Sequence, residues 1–410
     1  MIKIYDTMTR SLRDFVPLTE NVVNMYVCGP TVYNYIHIGN ARSAVAFDTI
    51  RRYFEYCGYT VNYISNFTDV DDKIIKAANE AGISTKELSD KFIAAFMEDT
   101  GQLGIKPATQ NPRVINYMDE IIAFVSTLVD KGFAYVSEGD VYFRVAKSNN
   151  YAKLANKTLE DLEIGASGRT DAETERKENP LDFALWKAAK EGEVSWDSPW
   201  GPGRPGWHIE CSVMATEILG DTIDIHGGGA DLEFPHHTNE IAQSEAKTGK
   251  TFANYWMHNG FVNVDNEKMS KSLGNFVTVH DMLQTVDGQV LRFFLATQQY
   301  RKPINFTEKA IHDAEVNLKY LKNTHSLPLT EQVNQAELQT YLDAFQEAMD
   351  DDFNTANGVT VLFDMAKWIN SGNYDQTVKD AFEKMLQVFG IVFEEEVLDE
   401  DIEKLIEERQ

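Results

Sequence analysis

The N-terminal part of the chain alternates between strand-like and helix-like patterns of apolar positions. The run "VVNMYVC" at 22–28 is typical of a buried strand. A helical spacing covers 38 to about 57 and ends at Gly58, and "YTVNYIS" at 59–65 indicates a second strand. The helical spacing rests on four apolar residues, namely Ala44, Phe47, Ile50 and Phe54. Strand, loop, helix and strand form a βαβ unit, which predicts a parallel sheet.

The middle of the chain interrupts this pattern. Residues 70–132 favour helices, and "AYVSEGDVYFRV" at 134–145 predicts a hairpin that turns at Glu138-Gly139-Asp140. The stretch 147–180 is polar and irregular, which suits an inserted module.

Parallel-sheet signals then return. They lie at 221–229 and 254–262, and Pro235 between them favours the first turn of a helix. From about Val279 the pattern is helical almost to the end, and 394–410 is strongly acidic. The whole pattern predicts an α/β domain that is split by an insertion and followed by a helical domain.

Composition limits the class of protein. The chain has 410 residues, 43% of them hydrophobic and 25% charged, which is a globular composition. Three cysteines argue against a disulfide framework, and the initial "MIKIYDTMTR" lacks the apolar run of a signal peptide. No stretch approaches a membrane span, so we expect a cytoplasmic protein without a membrane partner. The net charge of −26 disfavours indiscriminate nucleic-acid binding but leaves room for a local basic patch.

The segment "HIGNAR" at 37–42 lies in the loop before the first long helix. A helix N-terminus offers free N–H groups and a positive dipole end, which together bind phosphate. Gly39 allows a ligand close to the backbone, and His37 can donate a hydrogen bond to a phosphate oxygen. Taken alone, the segment is better explained as an ordinary loop with a polar histidine and a turn glycine.

A second segment, "EKMSKSLGN" at 267–275, carries two lysines. Lys268 and Lys271 can neutralise charge on a transferring phosphate, and a mobile basic loop can close over a nucleotide. Taken alone, it is equally a solvated charged loop. Together the two segments resemble the nucleotide-binding signature of class I aminoacyl-tRNA synthetases. The usual first motif is His-Ile-Gly-His, whereas this chain has Asn40, which keeps a donor but loses the imidazole.

A third group of residues is a candidate metal site. Cys28 closes the first strand, Cys211 lies in "GWHIECS", and a helix from Pro235 would place His236 and Glu240 on one face. Two sulfurs, an imidazole and a carboxylate form a plausible zinc ligand set. The residues alone leave other roles open, because cysteines are often simply buried. His226 and His237 also compete as ligands.

Seven stretches, in order along nearly the whole chain, resemble the cysteinyl-tRNA synthetase family. They are "MYVCGPTVYNYIHIGNAR", "NFTDVDDKII", "GRPGWHIECS", "DIHGGGADLEFPHHTNEIAQS", "YWMHNGFV", "KMSKSLGNF" and "MDDDFNT". The resemblance implies a Rossmann-like parallel-sheet catalytic domain split by a connective peptide and followed by an α-helical bundle. The implied bounds are 1–105 and 201–265 for the catalytic halves, 106–200 for the insertion, 266–306 for the KMSKS loop and stem-contact region, and 307–410 for the helical tRNA-binding domain.

The resemblance also implies the reaction. ATP, with Mg²⁺ on its phosphates, activates L-cysteine to cysteinyl-adenylate, and tRNA(Cys) then accepts the cysteinyl group. One zinc ion binds the substrate thiolate, and the matching ligands are Cys28, Cys211, His236 and Glu240. His237 is excluded as a ligand by the resemblance and is expected to face ATP or solvent. Four ligands plus a thiolate make five, so we expect either expanded coordination or a weakly bound Glu240.

Further site residues follow from the same match. We expect His37, Asn40, Lys268 and Lys271 to stabilise charge during adenylate formation. "HGGGAD" at 226–231 is expected to form the floor for adenosine, with Gly228 under the base and Asp231 at a ribose hydroxyl. The amino-acid pocket is expected to include three residues, Thr68, Trp207 and His208.

The chain also departs from the family. The helical region from about Thr307 resembles the tRNA-binding bundle, but the sequence stops at "IEERQ", where a basic helix and an anticodon-reading element usually follow in the family. Either a truncated sequence or a natural short form would explain this. We therefore expect adenylate formation to persist and tRNA charging to be weak. We expect a monomer.

Three alternatives stay open at this point. A related class of enzyme joins cysteine to an amino sugar, and a synthetase-like protein can act as a non-catalytic sensor of cysteine or zinc. Some family members are credited with cysteine persulfide synthesis through pyridoxal phosphate on "KIIK" and "KMSK" lysines. Here "KIIK" at 73–76 is better explained as one face of an amphipathic helix.

Overall fold

The computed structural model describes residues 1–166 and 174–395. Within these ranges the strands β1 to β13 are Lys3–Asp6, Ser11–Asp14, Val22–Val27, Thr60–Ser65, Ala134–Ser137, Asp140–Phe143, Phe183–Ala188, Gly203–Pro205, Ile223–Gly229, Ala253–Asn259, Val262–Val264, Glu267–Lys268 and Ile304–Phe306. The helices α1 to α13 are Ile38–Tyr56, Asp72–Ala81, Thr85–Gln102, Met118–Asp130, Leu159–Ala166, Trp207–Leu219, Thr238–Thr248, Val279–Met282, Gly288–Ala296, Glu308–His325, Gln335–Asp350, Thr355–Asn370 and Gln376–Val388.

The central sheet has four parallel strands in the order β10-β9-β3-β4. Helix α1 connects β3 to β4, as the βαβ pattern predicts. Its apolar positions pack into the main core, and Gly58, at φ +94°, ends the helical path as expected. The carboxyl ends of β3 and β9 lie side by side, so the loops after them open onto one edge of the sheet. Ligand sites of open α/β sheets occur at this edge.

A second sheet takes three of its four strands from the predicted insertion, and β8 follows just after the predicted bound. Strands β5, β6, β7 and β8 pair antiparallel in that order. The predicted hairpin is present, although its two-residue turn is Glu138-Gly139, both at positive φ, and Asp140 already pairs with Ser137. This is the turn geometry that matches the twist of a hairpin.

The C-terminal helices pack against the outer face of α1. Arg292 of α9 is fully buried, and its Nη1 lies 2.6 Å from Asp48 Oδ2 of α1. The same guanidinium donates from Nε to the carbonyl of Phe389, which follows α13, over 2.9 Å. Tyr53 of α1 donates its hydroxyl proton to Asp350 of α11 over 2.5 Å. These polar contacts anchor the helical region to the helix that begins at the "HIGN" segment.

The α/β fold with an insertion and C-terminal helices is confirmed, while several local predictions are wrong. Residues 103–113 are not helical, because they run beside β4 and form parallel bridges from Gln110 to Ile64 and from Arg113 to Phe67. Within 147–180, α5 is helical, and within the region after Val279, β13 pairs in parallel with β11.

The helix predicted from Pro235 begins three residues later, at Thr238. Phe234 is extended, with φ −141° and ψ 132°, so Glu233–His237 forms an irregular turn before α7. Most of the acidic segment 394–410 lies outside the described residues. The predicted domain bounds stay predictions. In the described part of the chain, no helix is long and apolar enough to cross a lipid bilayer.

Candidate metal centre and nucleotide site

Four elements bring the predicted metal ligands together. Cys28 follows β3, Cys211 lies in α6, His236 lies in the turn before α7, and Glu240 lies in its first turn. One ligand atom from each of the four lies within 4.8 Å of the other three. The helix start at Thr238 therefore does not separate His236 from Glu240, and Nε2 of the histidine lies 3.1 Å from Oε2 of the carboxylate.

The spacing of these atoms fits a tetrahedral zinc ion. Zinc–sulfur bonds of about 2.3 Å and zinc–nitrogen or zinc–oxygen bonds of about 2.0–2.1 Å place tetrahedral ligand atoms about 3.3–3.8 Å apart. The two sulfurs are 3.5 Å apart, and Cys28 Sγ lies 3.6 Å from Glu240 Oε2. The donor set and its spacing therefore suit the metal that the sequence predicts.

A second set of possible ligands overlaps the first. It shares Cys28 and Glu240 but takes His226 and His237 in place of Cys211 and His236. His237 is completely buried, with Nε2 3.5 Å from Cys28 Sγ and Nδ1 2.7 Å from His258 Nε2. The expectation that His237 faces ATP or solvent is therefore wrong with respect to solvent, because neighbouring side chains enclose the ring.

Burial controls the protonation of these groups. It raises the pKa of the Cys28 thiol well above its usual value. The contact with Cys28 lowers the pKa of Cys211, but burial and the Glu240 charge raise it more. Burial also raises the pKa of Glu240 and lowers that of His236 far below its usual value. Near neutral pH the metal-free site therefore holds two thiols and a neutral imidazole whose lone pair is available.

The predicted amino-acid pocket residues lie beside this cluster. The Trp207 ring is 41% exposed and stacks on His236, with centroids 4.2 Å apart. His208 Nδ1 lies 3.0 Å from His236 Nδ1, so it contacts the ring nitrogen that does not face Glu240. Thr68 accepts a hydrogen bond from the side chain of Asn66, whose Oδ1 lies 3.7 Å from Cys211 Sγ.

Asn66 was not singled out from the sequence. Its Oδ1 accepts from the backbone N–H of Gly29 over 2.9 Å and lies 3.7 Å from Cys211 Sγ. It therefore fixes the loop that carries Cys28. Two signals are available in the sequence, namely its position directly after a predicted strand and its place as the first residue of "NFTDVDDKII", one of the stretches that resemble the family.

In the "HIGN" segment, His37 and Asn40 form a reciprocal cap on α1. The His37 Nδ1 accepts from the backbone N–H of Asn40, and the Asn40 Oδ1 accepts from the backbone N–H of His37, both over 3.1 Å. Because Nδ1 is an acceptor, the proton of the neutral ring is on Nε2, which is then a donor. Burial, with Lys271 and Lys73 nearby, lowers the pKa of His37 to about 4. His37 is therefore a neutral donor at physiological pH.

Gly39 is required by this cap. A Cβ at that position would lie 2.9 Å from the His37 ring, closer than real side chains approach. The exposed loop with Lys268 and Lys271 lies next to it, since a Cβ on Gly39 would be 3.8 Å from Met269. The chain after that loop pairs with the first motif, through an Ile38 N–H to Val277 hydrogen bond of 3.0 Å.

The two lysines of the loop differ in their surroundings. Lys271 Nζ lies 5.3 Å from the Phe276 ring centroid and 5.5 Å from that of Tyr33. Lys268 is exposed in β12. Lys73 and Lys76 of "KIIK" are both exposed on α2, as an amphipathic helix predicts.

The glycine-rich segment at the end of β9 is the predicted adenosine floor and lies beside the metal cluster. A Cβ on Gly228 would lie 2.8 Å from Leu232 and 3.1 Å from the His237 ring, so only glycine fits there. Asp231 is exposed just beyond. The backbone at Gly227 accepts a hydrogen bond from Cys28 N–H over 3.4 Å. The predicted adenosine floor and the metal cluster thus share one strand end.

Comparison with known proteins decides the family. A model of the "tRNA synthetases class I (C) catalytic domain" matches residues 14–316, and a DALR domain model matches 344–394. The cysteine–tRNA ligase of Streptococcus thermophilus (strain CNRZ 1066) is 95% identical over all 410 residues, which cover 92% of its length. The chain belongs to the cysteine–tRNA ligase family.

Other relatives agree with this membership. The cysteine–tRNA ligase of Streptococcus pyogenes serotype M6 is 84% identical over the whole chain and is covered to 92%. A Mycobacterium tuberculosis methionyl-tRNA synthetase structure, solved with methionyl-adenylate, has a TM-score of 0.65 at 16% identity, covering 90% of this chain and 89% of that one. That likeness shows the shared fold of class I synthetases. In this chain the DALR match, at 344–394, covers the end of α11 and all of α12 and α13.

Proposed function

We propose that this chain activates L-cysteine with ATP and transfers the cysteinyl group to tRNA(Cys). The observation that carries the proposal is the cluster of two sulfurs, an imidazole and a carboxylate, which shares the end of β9 with the glycine-rich segment, in a chain whose "HIGN" and "KMSKS" segments lie against each other. A site of this kind can recognise the thiol of L-cysteine and activate the carboxylate of the same molecule. Family membership supports the same substrates, since the matched relatives are named cysteine–tRNA ligases.

We propose that zinc is the metal and that Cys28, Cys211, His236 and Glu240 hold it. When bound, zinc prefers a thiolate over a hydroxyl and promotes loss of the thiol proton. A pocket that only measures size gains about 1–3 kcal/mol per methylene, which is too little to reject competing amino acids faithfully. The Trp207 ring covers one face of His236, and Thr68 contacts Asn66 beside Cys211.

In the first step the cysteine carboxylate attacks the α-phosphorus of ATP, and pyrophosphate leaves. Mg²⁺ brought in with ATP would neutralise part of the phosphate charge. The reaction needs positioning and charge stabilisation more than a base. Neutral His37 donates from Nε2 to a phosphate oxygen, aided by the positive dipole end of α1 and by the side-chain NH₂ of Asn40, whose backbone N–H already donates to His37 Nδ1. Lys271 and Lys268 supply positive charge from the exposed loop at 267–275. A ribose hydroxyl at the tRNA end then displaces AMP.

Gly228 and Asp231 form the proposed floor and ribose contact for adenosine. The cytoplasmic location and the monomeric state stay predictions. No observation favours the amino-sugar acceptor or the sensor role.

Cysteine-dependent ATP–pyrophosphate exchange tests the proposal. We expect exchange that a zinc chelator abolishes and added zinc restores. Cys211→Ala should abolish it as well, whereas Cys57→Ala, which changes an exposed cysteine outside the cluster, should not. Full exchange by the chelated chain would refute the role of the metal, and no exchange under any condition would refute the activity.

A further inference from the structure

The two carboxylate oxygens of Glu240 face different partners. Oε2 faces the proposed ligands, 3.1 Å from His236 Nε2 and 3.6 Å from Cys28 Sγ. Oε1 lies 2.8 Å from His226 Nε2. The Glu240 and His226 side chains are both 0% exposed, so water does not compete for either oxygen.

His226 is held rigidly in the central sheet. It lies in β9, in register with Tyr26 of β3 and Trp256 of β10. Its ring stacks on the Trp256 ring, with centroids 4.5 Å apart and planes 19° from parallel. Among the described residues, its Nδ1 is buried without a hydrogen-bond partner. A neutral ring with the proton on Nε2 leaves only an acceptor unpaired, and its N–H then donates to Glu240 Oε1.

The distance between His226 Nε2 and Glu240 Oε1 shows that the two atoms form a hydrogen bond and are not two ligands of the same metal ion. Two ligands of one tetrahedral zinc ion are about 3.3 Å apart when nitrogen and oxygen bind it. The 2.8 Å between His226 Nε2 and Glu240 Oε1 is instead the length of a charge-assisted hydrogen bond. His226 therefore holds the carboxylate through Oε1, whereas Oε2 is the oxygen that contacts His236 and Cys28.

We propose that His226 is a positioning residue that fixes Glu240 so that only Oε2 faces the metal. The inference rests on the proposed zinc site and adds to it a residue that the four ligands do not include. Without the His226 donor, the buried Glu240 carboxylate would lose its fixed orientation. Partners of this kind typically change metal affinity by about 10- to 100-fold.

Zinc affinity of the purified, metal-free chain, measured by competition with a chromophoric chelator, tests this role. His226→Phe keeps a ring against Trp256 but removes the donor, and it should weaken zinc binding by about 10- to 100-fold. His226→Gln places an amide N–H near the former Nε2, and it should bind zinc within roughly threefold of the unchanged chain. A role in packing alone would not produce this difference between the two variants.

The helical region offers a matched control. His325 Nε2 lies 2.9 Å from Glu383 Oε1, a pair of the same type that lies outside the metal cluster. His325→Phe should leave zinc affinity unchanged. If His226→Phe does not fold, as judged by circular dichroism, His226→Asn serves instead. Its shorter amide cannot reach Glu240, and the same loss is expected.

Two results would overturn the proposal. Unchanged zinc affinity in His226→Phe, with tight binding by the unchanged chain, would refute the positioning role and leave the proposed function intact. Equal losses in His226→Gln and His226→Phe would show a packing role and refute it as well. If the unchanged chain binds no zinc, the proposed function fails together with the inference.

Discussion

Zinc binding should release protons, because the metal-free ligands hold them. Burial raises the pKa of Cys28 well above its usual value. The pKa of Cys211 is lowered by Cys28 but raised on balance by burial and by Glu240. Both thiols are therefore protonated at neutral pH, whereas zinc binds thiolate. Raising the pH removes a cost of binding, so the affinity should rise with pH.

The size of the effect follows from the number of thiols. Two protons released per zinc give two factors of ten, or about 100-fold in affinity per pH unit below the thiol pKa values. Burial also raises the pKa of Glu240, so any protonated fraction of this carboxyl adds to the slope at acidic pH. His236 adds nothing near neutral pH, because burial lowers its pKa far below its usual value.

Chelator competition between about pH 6.5 and 7.5 measures the slope, and calorimetry in buffers of different ionisation enthalpy counts the protons. Cys211→Ala should lower the count by about one. Cys57→Ser, outside the cluster, should leave it unchanged. An affinity independent of pH, or a count that Cys211→Ala does not change, would refute the assignment of the two thiols as ligands.

Three further predictions concern the rest of the chain. Lys271→Ala should slow ATP–pyrophosphate exchange by about 10²- to 10³-fold with little change in cysteine binding, whereas Lys76→Ala on exposed α2 should not. Gly39→Ala should displace the His37 ring and raise the KM for ATP, and an unchanged KM would contradict the cap. Burial lowers the His258 pKa to about 3. As the pH falls below about 6.5, this histidine should therefore lower the free energy of unfolding by up to about 1.4 kcal/mol per pH unit. Urea unfolding at several pH values measures this dependence, and His258→Gln should remove the contribution of this residue.

The sequence predicts the sheet region well for a physical reason. Strands such as β3 and β4 are buried among helices and neighbouring strands, so their apolar runs are nearly continuous and bounded by glycine or polar turns. The predicted strand at 22–28 and the observed Val22–Val27 differ by one residue. The helix over 38–57 is equally close, because its apolar spacing and Gly58 both mark its end.

The remaining elements depend on contacts between distant residues. Strand β13 is three residues long and pairs with β11, so no local alternation distinguishes it from the helices around it. The predicted start of α7 at Pro235 is wrong because Phe234 is extended. The preference of proline for the first turn of a helix does not reveal the conformation of the residue before it. The site shows the same limit. The sequence indicates His226 as a competing ligand and as part of the adenosine floor, and its contact with Glu240 Oε1 appears once β9 and α7 pack together.

Cysteine and serine activation by one zinc-loaded preparation tests the central claim most directly. The two amino acids differ only in sulfur and oxygen, so pocket volume contributes little to their discrimination. We expect ATP–pyrophosphate exchange with cysteine and almost none with serine while zinc is bound, and loss of the cysteine reaction when zinc is removed. Serine activation approaching that of cysteine in the zinc-loaded chain would contradict selection of the substrate through its thiol.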